Sequence, residues 1–330
     1  MVFSEQKKQR GRICLRTKKS TIIASITLIL IFSAIPILSN LTKITIIMTL
    51  FTIGLIYAIL AANWNLLFGF AGVWSLAQLA IFAVGAYSSA LLSKAGMNPW
   101  IAILVGVTLS IVAALAISLV TLRLKATYFA LVTLGFQEIV RGVVVVIYPG
   151  IIFDIPHLEI FGFSFDISGG VGYYYTFFTI FLCTLFVHKK IMSSYIGYAT
   201  VALRESEMRA ISLGVSPVRV RATIFLVSVI FTSLLGSIYA HYTNSVSQAI
   251  LGLDIFLTYL IILALGGIGT FYGPILASFM WVFLDFVLRL YLEQFRLVIM
   301  GGIVILSLIY LKQGLTEIYE MMANKLFKMK

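Results

Sequence analysis

The sequence predicts an all-α integral membrane protein, a polytopic bundle of about ten transmembrane helices. Three observations lead there. Hydrophobic residues make up 61% of the 330 and charged residues only 11%, against about a quarter charged in soluble domains. Mean hydropathy is +1.07. The apolar residues fall in runs of bilayer length, which suits helices and not the short alternating strands of a barrel. Net charge is +12, gathered in tails and loops beside those runs. Orientation in a lipid bilayer accounts for that charge, so no nucleic-acid partner is called for.

Taken in order, the chain opens on a basic tail at 1–19, where Lys7, Lys8, Arg10, Arg12, Arg16, Lys18 and Lys19 face Glu5. The apolar run Thr21–Leu38 follows. It is longer than the apolar region of a signal peptide and no A-x-A-like site succeeds it, so it reads as an uncleaved first span with the N-terminus inside. Between Lys43 and Arg123 the only charge is Lys94. Spans are expected at Ile44–Ala62, Leu66–Leu92 and Trp100–Leu122, parted by polar breaks at Asn63–Asn65 and Ser93–Pro99. Arg123 and Lys125 bring the chain back inside. A span at Thr127–Ile147 leads to the loop 148–172, which holds Asp154, Glu159 and Asp166 and no Lys or Arg, and so fits the outside.

Tyr173–Val187 then crosses to a polar segment at 188–221, and Ala222–Ala240 crosses out again. Ile255–Leu265 and Ile275–Leu288 flank a glycine-rich break from Gly266 to Pro274. Leu297–Leu311 ends at Lys312 and a tail with Lys325, Lys328 and Lys330. Both termini are expected inside; the count is about ten, or about eight to nine if the glycine-rich segments are re-entrant. The organisation is therefore a cytoplasmic tail at 1–19, a transmembrane domain at 20–312 and a cytoplasmic tail at 313–330.

The segment 188–221 is the one long charged stretch inside the oily chain. Each charge at a bilayer centre would cost about 2.5–3.5 kcal/mol, so the segment belongs in water, and its Lys/Arg excess places it in the cytoplasm. From Tyr198 to Leu213 it lacks Gly and Pro and favours helix. Gly214 supplies a stop, and Ser216-Pro217 an N-cap and first-turn proline. The reading is helix, turn, helix against the membrane, with Met208, Ile211 and Val215 on one arc and Glu205 and Arg209 paired at i,i+4. An ordinary basic loop that anchors topology is the plainer alternative.

Two spans look broken. Gly69, Gly72 and Gly85 interrupt the third, with polar Ser75 and Gln78 beside them and Asn65 at its edge. Gly266 to Pro274, including Gly267 and Gly269, interrupts the eighth and ninth. Glycine-interrupted apolar segments in two halves of a chain point to a translocation path near the midplane; close helix packing at small residues is the plainer reading. Glu138 and Arg141 lie three residues apart inside the fifth span, on one face. An intramembrane charge is a pathway candidate, and a mutual pair buried against neighbouring helices, with Gln137 beside it, is the competing reading.

Enzymatic chemistry is not legible. There is no G-x-x-x-x-G-K-[ST] phosphate loop, His157, His188 and His241 are scattered, and no Ser/His/Asp arrangement or metal-ligand spacing appears. Cys14 and Cys183 offer no disulfide framework. No catalytic residue, metal or cofactor is assigned to this chain.

Four stretches together resemble one family, the M-type permease subunits of branched-chain amino acid ABC importers. They are Asn65–Tyr87 (NLLFGFAGVWSLAQLAIFAVGAY), Leu122–Arg141 (LRLKATYFALVTLGFQEIVR), the polar segment with Leu213-Gly214-Val215, and Leu265–Pro274 (LGGIGTFYGP). They occur in the family's order over roughly residues 45–290. The resemblance implies that 198–217 is a coupling loop inserting into a cleft of a cytoplasmic ATPase subunit, with Arg204, Glu205, Glu207, Arg209, Ala210, Gly214 and Pro217 as its residues. It also implies a second homologous permease, two ATPase subunits that carry ATP and Mg, an extracytoplasmic binding protein, and a place in the bacterial inner membrane. In the importer loop pattern Glu-Ala-Ala-x-x-x-Gly, the register ending at Gly214 places Met208, Arg209 and Ala210, so only Ala and Gly remain. Gln78 stands where many relatives carry His. Leu, Ile and Val are the family's default solutes; urea or amides are the alternative, and an ion-coupled transporter using Glu138 is the rival from another class.

Overall fold

The computed structural model describes residues 32–33, 35–36, 45–121, 126–148, 150–160, 163–164 and 170–310. The basic tail at 1–19, most of the run Thr21–Leu38, Arg123, Lys125, Asp166 and the tail at 313–330 lie outside the described residues. The chain divides into a unit Met1–Thr49 and a unit Leu50–Lys330. Of the first, the described part is short helical stretches and the start of α1; everything below concerns the second.

Eleven helices follow one another among the described residues: α1 (Thr45–Asn65), α2 (Gln78–Lys94), α3 (Pro99–Thr121), α4 (Ala126–Ile147), α5 (Val171–Met192), α6 (Tyr195–Glu205), α7 (Glu207–Ser212), α8 (Pro217–Thr243), α9 (Leu253–Gly266), α10 (Gly273–Tyr291) and α11 (Arg296–Tyr310). Six stretches, on α1, α3, α4, α5, α8 and α10, are long and apolar enough to cross a membrane, and Asp254–Gly266 is a shorter apolar helix. Sequence signals set the starts. Asn98 accepts the Trp100 amide at 3.0 Å and Pro99 takes the first helical position of α3, where a missing N–H costs nothing. Pro217 opens α8 in the same way.

α2, α3 and α8 pack on one another as the centre of the fold. Small residues make that possible: a Cβ on Gly236 would strike the Phe82 carbonyl, and one on Gly85 the Ser233 carbonyl. Backbones that close are the usual membrane seam, and Ser237 adds a hydrogen bond to the Gly85 carbonyl at 3.0 Å. Gly85 is thus a packing residue inside an unbroken helix, not an interruption. A second group, α9 with α10 and α11, packs around Trp281, Ile261, Ile262, Ala277 and Met300 and takes Ala61 of α1.

The acidic loop is tied down by two strand pairs and one buried histidine. β1 (Ile152–Phe153) pairs antiparallel with β4 (Ser245–Val246), while β2 (Glu159–Ile160) and β3 (Phe163–Ser164) form a hairpin. His241 Nδ1 lies 2.7 Å from the Pro156 carbonyl, so it carries the proton and donates; Nε2 then accepts from the Ser89 hydroxyl at 2.8 Å. Tyr173 donates to the His241 carbonyl at 3.0 Å and accepts the Leu158 amide at 3.0 Å.

Three expectations are corrected. Asn63–Asn65 does not break the chain: α1 runs through all three and continues as a π-helical turn, Leu66–Phe70. The break comes later, in the non-helical residues 71–77 before α2. All three side chains turn inward and are buried; those of Trp64 and Asn65 are hydrogen-bonded to other elements. The helix expected over Tyr198–Leu213 is split at Ser206, whose backbone is extended (φ −161°, ψ 105°). Ser competes with helix by favouring caps and turns. With the split, Glu205 and Arg209 no longer share a helix face and form no ion pair; Glu207, at the start of α7, bridges to Arg221 of α8 at 3.0 Å instead.

Candidate functional site

The site is built where the polar segment meets both glycine-rich breaks. α6 buries Ala199 and Leu203 against Ala210 of α7 and Val220 of α8, so the helices of the segment share one small apolar core. The turn after α7 is a Schellman cap: the Gly214 amide donates to the Ile211 carbonyl at 2.9 Å and the Val215 amide to the Ala210 carbonyl at 3.1 Å. Gly214 has φ +84°, a left-handed conformation that costs a side-chain-bearing residue about 1–2 kcal/mol. Outside this core, Met208, Ile211 and Leu213 are exposed, Met208 and Leu213 by 80% and 82%. The arc of Met208, Ile211 and Val215 is divided, with Val215 packed on that core and Met208 and Ile211 forming an exposed apolar ridge.

From the opposite side of α6, Arg204 reaches back. Its Nη1 donates to the Gly69 carbonyl in the π-turn. Its stem lies 3.1 Å from where a Cβ on Gly72 (φ +65°) would stand, and Nη1 lies 2.7 Å from that of Gly269 (φ +82°). Glycine is needed here twice over, for the left-handed backbone and for the guanidinium's approach. The two breaks are also pinned to each other: the Gly269 amide donates to Asn65 Oδ1 at 2.8 Å, and Asn65 Nδ2 donates to the Thr270 carbonyl at 2.7 Å. A Cβ on Gly69 would collide with both Asn65 and the Gly269 amide. One arginine of the polar segment, one asparagine and three glycines therefore form a single knot among α1, α6 and the α9–α10 turn. Gly267 (φ +96°) caps α9 beside it.

Gln78 and Ser75 lie one layer away. Gln78 donates to Ser228 at 2.5 Å and accepts from Thr232 at 2.8 Å; the Ser228 hydroxyl in turn donates to the Asn63 carbonyl at 3.1 Å. Trp64 Nε1 donates to the Ser75 carbonyl at 2.9 Å, and the Leu76 amide to Thr133 at 3.1 Å. The broken stretch before α2 is thus stitched to α1, α4 and α8. The Asn63 amide and the Ser75 hydroxyl stay buried without a partner among the described residues, which marks this layer as polar beyond what its own bonds use.

The intramembrane pair takes another position. Arg141 and Glu138 do meet, at 3.7 Å, but their side chains are 51% and 55% exposed. The expected burial of the pair fails because only one edge of α4 faces the bundle: Phe129, Thr133, Gln137 and Val144 are buried, at helical spacing, and residues 138 and 141 lie at the margin of that stripe with half-exposed side chains. Gln137, one turn before Arg141, is itself buried.

The reach of Arg204 was not foreseen, since nothing in spacing joins residues 69, 204 and 269. A second omission was recoverable. Asp285 and Arg289 sit at i,i+4 inside an apolar helix, the same signal as Glu138 and Arg141.

Comparison with known proteins shows the family. A family model described as the permease component of branched-chain amino acid transport systems matches residues 46–308. The chain is 30% identical over 291 residues to the high-affinity branched-chain amino acid transport system permease protein LivM of Salmonella typhimurium, covering 80% of this chain and 68% of the relative. LivM of Escherichia coli strain K12 aligns with the same identity and the same coverage. No solved structure matches. The match spans the described helices from α1 almost to the end of α11 and contains every residue of the knot. This chain, a multi-pass membrane protein and a transport subunit, belongs to the family of branched-chain amino acid transport system permeases.

Proposed function

We propose that the chain forms the transmembrane path of an ATP-driven importer of leucine, isoleucine and valine in the bacterial inner membrane. With α2, α9, α11 and the run Thr21–Leu38 added to the six long helices, it crosses about ten times with both termini in the cytoplasm. The polar segment then lies in the cytoplasm. The exposed ridge of Met208, Ile211 and Leu213 seats in a cleft of an ATPase subunit, where Arg209 and Glu205 meet its polar rim. A second homologous permease, a second ATPase subunit and an extracytoplasmic binding protein complete the assembly. ATP and Mg belong to the ATPase subunits; this chain binds no cofactor.

The single observation that carries the reading is the Arg204 knot. Closure of the ATPases moves α6 and α7, and Arg204 transmits that motion to the Gly69 and Gly269 breaks, about which α1, α9 and α10 tilt. A ligand or motor shifts such an equilibrium only through contacts that differ between its states, and a glycine-gated hydrogen bond between two otherwise separate elements is a contact of that kind. Asn65, Gly72, Ser75, Gln78 and Gly267 make up the moving layer. The test is leucine uptake by proteoliposomes that hold the chain, its partner permease and both ATPases. Uptake that needs ATP and disappears when residues 198–217 are deleted is the expected result. Uptake by this chain alone under an ion gradient overturns the proposal.

A further inference from the structure

A cavity of about 410 Å³ opens among α1, α2, α8, α9, α10 and α11. Asp254 begins α9, which ends at Gly266, and Asp285 lies twelve residues beyond Gly273 on α10. Both carboxylates therefore stand about 18 Å along the helix axes from the turn that Arg204 touches. They sit at the end of the bundle reached by Tyr239, near the close of α8. This is the end remote from the polar segment.

The wall has two chemistries. At one side Asp254, Asp285, Arg289 and Arg296 line it. Asp285 accepts from Arg289 Nε at 2.9 Å and from Arg296 Nε at 2.7 Å, one bond on each oxygen. Each guanidinium approaches through Nε, so the Nη atoms of the fork remain for another acceptor. Asp254 makes no ion pair among the described residues. The cluster is neutral in sum yet offers a cationic and an anionic contact side by side. The rest of the lining is largely aliphatic and aromatic, including Ile53, Leu60, Leu79 and Phe286. Paired charges together with branched apolar surface in one cavity are complementary to a zwitterion that carries an apolar side chain. The volume lies within the roughly 300–1,000 Å³ of small-molecule sites.

We infer that this cavity is a solute subsite within the permease, taking a zwitterionic α-amino acid with a branched apolar side chain. The carboxylate lies on the Arg289 and Arg296 forks, the ammonium on Asp254, and the side chain against Ile53 and Phe286. The inference rests on the importer reading above and adds to it that this chain, and not only a delivering protein, recognises the solute. The same helices α1, α9 and α10 that wall the cavity end in the breaks held by Arg204. Occupancy here and motion at the polar segment therefore act on one set of elements.

The experiment uses the full chain in lipid nanodiscs and measures equilibrium binding of tritiated leucine. Competitors are 4-methylpentanoate, which lacks the ammonium, and 3-methylbutylamine, which lacks the carboxylate. Saturable binding is expected, with each competitor at least tenfold weaker than unlabelled leucine. Arg296→Gln is expected to weaken binding at least tenfold. Ile53→Trp, which fills the cavity without touching an ion pair, is expected to do the same at unchanged thermal stability, and so stands whether or not the Arg296 variant folds. Absence of saturable binding to the unaltered chain, competitors as good as leucine, or binding that survives Ile53→Trp overturns the subsite. Leucine uptake by the assembled importer is measured in parallel: uptake without binding ends this inference alone, whereas no ATP-driven leucine uptake ends the importer reading on which it stands.

Discussion

Removing the Arg204 guanidinium tests the proposed coupling step apart from the rest of the polar segment. In Arg204→Met the stem that packs beside Gly72 keeps its length, while the donor to the Gly69 carbonyl is lost. A hydrogen bond from a charged group contributes about 1.5–3 kcal/mol. Arg204 is an exposed residue, so the lower end applies, about 1.5 kcal/mol. If that bond exists in one transport state and not the other, the variant shifts the balance between them by about tenfold. Assembly should be untouched, because Ala199, Leu203, Ala210 and Val220 still hold the segment together. The assay compares ATP-driven leucine uptake with ATP hydrolysis in the same proteoliposomes. We expect uptake to fall about tenfold while hydrolysis continues, the signature of uncoupling. Arg204→Lys, a flexible point donor without the planar fork, should fall between the two. Uptake equal to that of the unaltered chain, with the complex intact, would refute transmission through this contact.

The remaining predictions use the same preparation. Gly214→Val places a β-branched residue at φ +84° with open space around its Cβ, so its cost is conformational. Insertion should proceed normally while recovery of the ATPase subunits in a pull-down drops several-fold, and undiminished recovery counts against the coupling role. Gln78→Leu leaves Ser228 and Thr232 facing a buried apolar group; at about 1–3 kcal/mol for an orphaned buried polar group, the detergent melting temperature should fall by several degrees, and an unchanged value would show that the network is slack. Glu138→Gln removes the charge of a half-exposed pair, and ATP-driven uptake should persist. Loss of uptake there, restored by a proton gradient, would favour an ion-coupled carrier. Gly236→Leu drives a side chain into the Phe82 carbonyl and should abolish folded protein; normal yield would mean that α2 and α8 can part at no cost.

How far the sequence was readable depends on the range of the interaction. Runs of apolar residues are set by the bilayer, a local requirement, so the helices α3, α4 and α8 begin and end within a few residues of the expected spans. Turn chemistry is local too. Gly214 and Pro217 mark the end of α7 and the start of α8 because a left-handed cap and a donor-free first turn need those residue types. Polar residues inside an apolar run were misread at Asn63–Asn65, since polarity in the sequence does not reveal whether a neighbouring helix supplies partners. Asn65 is satisfied by Thr270 and Gly269, two hundred residues away in sequence. The burial of Glu138 failed for a related reason. Periodicity tells which residues share a face, but the face of α4 that meets the bundle is chosen by Phe129, Thr133 and Gln137, and that choice belongs to packing.

The knot also explains why glycine is required in both halves of the chain at once. Asn65, at the end of α1, bonds Gly269 and Thr270 of the α9–α10 turn only if the π-turn backbone approaches that turn closely, which a Cβ on Gly69 or on Gly269 would prevent. Once the breaks are that close, Arg204 can reach Gly69 and lie against Gly269 together, so one side chain reports on two hinges. Were the arginine bound to a single break, displacement of the polar segment would tilt α1 or α9 alone and open a gap between them. On the proposed coupling, an arginine bound at the junction moves α1, α9 and α10 together, and these are walls of the cavity that holds Asp254 and Asp285. A rigid-body shift of packed helices about a few flexible residues is the general form of hinge motion. Disulfide cross-linking of Asn65→Cys to Thr270→Cys should therefore leave uptake largely intact, since the two breaks travel together, whereas loss of uptake on oxidation, reversed by reductant, would mean that they separate during the cycle.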